Sequence, residues 1–274
     1  MNNLKKLIQS PSVIRFKLLC QSLELYNSSI LLTTLPRSGT HYARALIANY
    51  LLAIDGKSLL TVDKISRIHS CVFERDLFNT KSLTNPISPS FKSILKSNDA
   101  SNIIRTHQPY HKAMKSFKKL HLYREPFGFF ESYLVYMYIK RGHSLDHQQV
   151  FSIIDKHFLY YESMLLTYTN VPNCLRLDFD DLMLNPKSSL RKMGKFFGFD
   201  TITDDKIQNI IDICSIQRTQ SRENLSNPIN IDSRPLDGSF INNGQVRVIN
   251  DEHRRHIKYR VNNSKISQLF QTLK

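Results

Sequence analysis

The chain has 274 residues, 41% of them hydrophobic and 22% charged, which is the composition of an ordinary globular domain with room for one core. Its 38 Lys and Arg against 23 Asp and Glu leave a net charge of +15, a surface that attracts anions such as nucleic acid, an acidic membrane, an acidic glycan or a nucleotide cofactor. Four cysteines (Cys20, Cys71, Cys174 and Cys214) lie far apart with no CxxC pair, which argues against a zinc site or a dense disulfide scaffold and fits reduced thiols in a cytoplasmic protein.

Taken from the N-terminus, residues 1–20 are basic, but charges interrupt the apolar residues and Pro11 breaks the run, so neither a cleaved signal peptide nor an apolar span is expected there. The first strand is read at 29–34, a β-branched and Leu run after the turn-prone Asn27 and Ser28. It feeds a small-residue turn and then a helix over 42–54, the way phosphate-binding α/β proteins begin. Residues 81–99, rich in Ser, Asn, Pro and Lys, read as a loop or insert. Short apolar runs at 102–106 and 120–123 suit buried parallel strands, followed by helices over about 127–140 and 146–168. A strand is expected at 174–179, a helix from Pro186, an amphipathic helix over 204–214, an irregular region over 217–244 and a basic helix from about Asp251. Strands alternating with helices imply an α/β three-layer sandwich, a mostly parallel central sheet covered on both faces, within a single domain spanning 1–274.

The segment from Thr34 to Thr40 has a chemistry of its own. A turn between a strand end and a helix start aims several backbone N–H groups into one concavity at the positive end of the helix dipole. Gly39 permits close approach to an anion, Ser38 and Thr40 add hydroxyls, and Arg37 adds a fixed charge. Such a loop cradles a phosphate. It lacks the GxxxxGK[ST] of a Walker loop, which speaks against a kinase or ATPase.

TLPRSGTHY, from Thr34 to Tyr42, resembles the 5′-phosphosulfate-binding loop of the sulfotransferases, often written TYPKSGTTW or PRSGTT. His41 replaces a Thr, and Tyr42 stands where an adenine-stacking Trp is common, keeping an aromatic face. Three further segments follow in the family's order across about 29–255. Arg105-Thr106-His107-Gln108-Pro109 resembles K-T-H-x-P, whose His is the family's catalytic base. Arg124 and Ser132, eight residues apart after Leu122-Tyr123, resemble the 3′-phosphate-binding pair. Leu177-Asp178-Phe179-Asp180-Asp181-Leu182, with Asn185-Pro186 and Phe196-Phe197-Gly198, resembles a stretch that is mainly structural. The C-terminal R-K-G-x-x-G-x-W segment is reduced here to Phe240–Val246, retaining Asn243 and Gly244, with Arg218, Arg234 or Arg247 as substitutes for the missing charge.

The resemblance implies a P-loop-like sulfotransferase fold and transfer of a sulfuryl group from 3′-phosphoadenosine 5′-phosphosulfate to a hydroxyl or amine of a small-molecule, lipid or glycan acceptor, with no nucleic-acid partner. It implies that Pro36, Arg37, Ser38, Gly39, Thr40, His41 and Tyr42 bind the 5′ side of the cofactor, that Arg124, Ser132, Asn243 and Gly244 bind the 3′ side, and that Arg37 and Arg105 stabilise the departing phosphate. His107 takes the acceptor's proton, a task suited to an imidazole with its ordinary pKa of ~6.5. Glu74, in CVFERD, is the competing base, and no metal is required. A cofactor-binding but inactive member, or a basic polyanion-binding protein, are the alternatives. Phe127, Phe129, Phe130, Tyr133, Tyr136 and Tyr138 make an aromatic helix that either packs the core or lines a pocket.

Overall fold

The computed structural model describes residues 29–61, 102–107, 109–110, 112–115, 117–215 and 247–273. The loop expected at 81–99, the irregular 217–244 region, Glu74, Arg218, Arg234, Asn243 and Gly244 lie outside them.

The short apolar runs become β1 (Ser29–Thr34), β2 (Asn102–Thr106), β3 (Lys118–Tyr123) and β4 (Cys174–Asp178). These pair in parallel in the order β2-β1-β3-β4. Between and after them run α1 (Thr40–Ile54), α2 (Pro126–Met137), α3 (His147–Thr167), α4 (Phe179–Leu184), α5 (Pro186–Phe197), α6 (Asp204–Ile213) and α7 (Asp251–Asn262).

Because side chains alternate across a strand, each strand serves two cores. Ile30 and Leu32 of β1, Leu120 and Leu122 of β3 and Leu177 of β4 pack with α1, α5 and α6 in one cluster. On the other face Leu31 joins Leu35, Phe129, Phe130 and the buried stripes of α3 and α7. This is the three-layer sandwich expected from the alternation of elements. Among the described residues no helix is long and apolar enough to cross a membrane.

Three departures have local causes. β3 starts at Lys118, two residues before the apolar run, because the Lys119 side chain is fully buried and spends its ammonium on main-chain oxygens. Its Nζ donates to the carbonyls of Met114 at 2.9 Å and Lys115 at 3.3 Å, and at 2.5 Å to that of Phe117. The helix expected to run to residue 140 stops at Met137 and tightens into a 3-10 turn, Ile139–Arg141, closed by Gly142 in the left-handed region at φ 82°. The short helix α4, capped by the Asp178 carboxylate accepting from the Asp180 N–H, fills a stretch with no helix assigned from sequence.

The order of the sheet positions the site. From β1 the chain steps to β2 on one side and then crosses to β3 on the other, so the loop after β1 lies at the switch point, where α/β proteins open a crevice outside the carboxyl ends of their strands.

Candidate active site

Thr34, His107, Arg124 and Asp178 each end or immediately follow a strand, so parallel pairing alone brings them to the same edge of the sheet. The loop between β1 and α1 is folded tightly: the Ser38 N–H donates to the Leu35 carbonyl at 3.2 Å. Arg37 (φ 66°) and Gly39 (φ 75°) both adopt the left-handed region. For Arg37 that backbone costs about 1 kcal/mol or more, a kind of strain that concentrates at functional sites. Gly39 is required twice over, by its φ and because a Cβ would run into the Phe179 ring. As N-cap of α1 it offers that helix no side-chain cap, and the first turn holds no acidic residue, so the positive helix end is left facing the loop.

Ser38 is fully buried, and among the described residues its Oγ has no hydrogen-bond partner. A hydroxyl in that condition costs free energy unless something arrives to bond it. Thr40 Oγ1 lies 2.8 Å from Thr34 Oγ1, which fixes the strand end to the first helical residue. An anion with several acceptor oxygens fits this cradle.

His107 is held at three points beside the cradle. Its Nδ1 is 2.7 Å from the Thr34 carbonyl oxygen and 3.1 Å from Thr34 Oγ1, and the Tyr160 hydroxyl donates to its carbonyl at 2.6 Å. A carbonyl can only accept, so Nδ1 carries the proton of the neutral ring. The lone pair is thereby assigned to Nε2.

Arg124 follows β3. Its carbonyl accepts from the Tyr161 hydroxyl at 2.9 Å, its guanidinium lies 5.0 Å from the centre of the Phe179 ring, and its Nε is 3.4 Å from Asp180 Oδ1. Gly128 in the first turn of α2 makes room, since a Cβ there would sit 2.7 Å from Arg124 Nε. Ser132, one turn further along α2, is buried at 7% exposure. Glu125 caps α2, accepting from the Phe127 N–H at 2.8 Å and from that of Gly128, and burial raises its pKa.

Arg105 is in β2, its backbone paired with Leu32. Pro36 and His41 are partly buried at the two ends of the loop. Tyr42 packs against the α1, α5 and α6 cluster, and burial together with the neighbouring Cys214 pushes its phenol up to about 12.

Three residues joined to the site were given no site role by the motifs, Phe179 standing in a segment expected to be mainly structural. Phe179 bridges the Gly39 loop and Arg124. Tyr136 receives the Arg37 guanidinium 4.0 Å from its ring centre, and Arg141 lies 5.7 Å from the same ring. Helical spacing alone leaves Tyr136 open to both a core and a pocket reading, and Arg141 lies just past the helix expected over 127–140.

The sequence matches the sulfotransferase domain over residues 27–264. The chain is a member of the sulfotransferase family. The fold agrees: a mouse sulfotransferase, SULT7A1, solved with PAP superposes at a TM-score of 0.59 with 16% identity, covering 93% of this chain and 94% of the other. A retinol dehydratase solved with retinol and PAP superposes at 0.50 with 10% identity, covering 86% and 82%. A search by sequence among curated proteins finds no match. The family match runs through all four segments singled out at 34–42, 105–109, 124–132 and 177–198.

Proposed function

We propose that this sulfotransferase uses 3′-phosphoadenosine 5′-phosphosulfate and passes the sulfuryl group to a hydroxyl or amine of a small-molecule, lipid or glycan acceptor. The observation that carries the reading is the pairing of an anion cradle with an oriented base: the buried, unpartnered Ser38 Oγ beside a His107 whose Nδ1 is committed to the Thr34 carbonyl. When bound, the cofactor supplies an activated sulfuryl group on a good phosphate leaving group.

The chain's own residues do the rest. Ser38, the Gly39 and Thr40 amides and the start of α1 hold the 5′ side of the cofactor, with Pro36, His41 and Tyr42 around them. Arg37 and Arg105 set positive charge where negative charge develops as the sulfuryl group leaves. His107 Nε2 removes the acceptor proton, and the fixed ring spares the cost of ordering it during reaction. Arg124 and Ser132 take the 3′-phosphate, with Asn243 and Gly244 completing that end. Phe179 spaces the two phosphate sites, and Asp180 holds Arg124 until a phosphate competes for it. We take 1–274 as one domain, and the free Cys174 and Cys214 support a reducing, cytoplasmic setting.

The reading is tested with cofactor carrying labelled sulfur, offered to phenols, alcohols, sugars and lipid extracts. Label should appear on at least one class, and His107→Ala should lower that transfer by roughly 10²–10⁴-fold while leaving cofactor binding nearly intact. Cofactor binding without transfer to any acceptor would instead favour a binding-only protein. A His107→Ala variant that stays active while Glu74→Ala is dead would move the base to the glutamate.

A further inference from the structure

Arg37 enters the loop through a strained backbone, and an arginine side chain has many rotamers in which its charge would lie away from a bound anion. A ring contact restricts it. Its guanidinium carbon stands 4.0 Å from the centre of the Tyr136 ring, close enough for a favourable cation–π contact, and Tyr136 sits at the end of α2, the helix that also carries Ser132. The Arg141 guanidinium, from the 3-10 turn that follows α2, lies 5.7 Å from the same ring. α2 ends at Met137, and Arg141 ends the 3-10 turn just beyond it.

We propose that Tyr136 is a positioning residue: its ring fixes the direction of the Arg37 guanidinium at the phosphate loop, and Arg141 completes a cation–ring–cation stack that locks the ring in turn. The charge of Arg37 is thereby in place before the anion arrives. The ordering cost is met in folding rather than in binding. This inference rests on the sulfotransferase reading of the loop.

The test compares two nucleotides by titration calorimetry. Adenosine 3′,5′-bisphosphate reaches both phosphate sites, whereas adenosine 3′-monophosphate has nothing for Arg37 to meet. Tyr136→Leu should weaken the bisphosphate on the order of tenfold and leave the 3′-monophosphate unchanged. Tyr136→Phe, which keeps the ring, should restore bisphosphate binding. In an Arg37→Ala background, Tyr136→Leu should have no further effect. Should Tyr136→Leu fail to fold, pentafluorophenylalanine at position 136 keeps the size of a ring and reverses its quadrupole, and it should weaken the bisphosphate alone. Equal weakening of both nucleotides, unchanged or tighter bisphosphate binding, or additive losses with Arg37→Ala would overturn the inference. A wild-type chain that binds neither nucleotide overturns the reading beneath it as well.

Discussion

Ser38 offers a way to separate fold from function within one hydroxyl. Its Oγ is buried and, among the described residues, without a hydrogen-bond partner, so Ser38→Ala removes a desolvated polar atom that makes no hydrogen bond there. The melting temperature of the ligand-free variant should match or slightly exceed the parent, while adenosine 3′,5′-bisphosphate binding falls by about 1.5–3 kcal/mol, the range for a hydrogen bond to a charged group. A variant that melts lower and binds normally would make the hydroxyl structural. Gly39→Ala should behave oppositely, costing about 1–3 kcal/mol of stability through its left-handed backbone and the Phe179 ring. His121 supplies a pH test. Buried between Thr33 and the Tyr168 ring and near Arg176, it is pushed down to about 3. A histidine depressed in the fold binds its proton more readily when unfolded, so its contribution is full above pH ~6.5 and lost as pH falls toward 3. His121→Gln should therefore flatten the loss of stability between about pH 6 and 4, measured by denaturant titration at each pH. An unchanged slope would mean that other groups govern the acid limb.

At the scale of elements, legibility followed hydrophobic pattern and failed where side-chain chemistry reversed it. β1 and β2 were read to the residue from apolar runs, and α5 from Pro186, because burial on a parallel sheet selects those residues directly. The start of β3 was hidden, since a lysine pair does not announce a buried strand; the three carbonyls around Lys119 Nζ belong to Met114, Lys115 and Phe117, at the end of the short 3-10 turn Lys112–Met114 and just after it. Lys119→Met should accordingly cost more than a surface substitution, about 1–3 kcal/mol in chemical denaturation, because it leaves those carbonyls without their donor. A loss indistinguishable from that of Lys192→Met, an exposed position on α5, would contradict the account. Ser38, His107 and Arg124 were proposed from motifs that fix their neighbours, and the fold brings their segments to one edge of the sheet. Phe179, Tyr136 and Arg141 were not proposed in this way, because ring contacts between distant segments leave no spacing in the chain.

For the molecule as a whole, the two proposed phosphate sites follow different strands, with the Phe179 ring against both Gly39 and Arg124, so each should be separable by ligand. Arg124→Ala should abolish the preference for a nucleotide with a 3′-phosphate while leaving the response to the 5′-phosphate in place. Binding of a 3′-phosphoadenosine nucleotide in the proposed crevice at the carboxyl edge of this sheet should show in thermal unfolding of the intact chain with adenosine 3′,5′-bisphosphate and with AMP. The bisphosphate should raise the melting temperature by about 5–10 °C at roughly a hundredfold excess over its Kd, and AMP much less. No shift at millimolar bisphosphate, or equal shifts with both nucleotides, would contradict it.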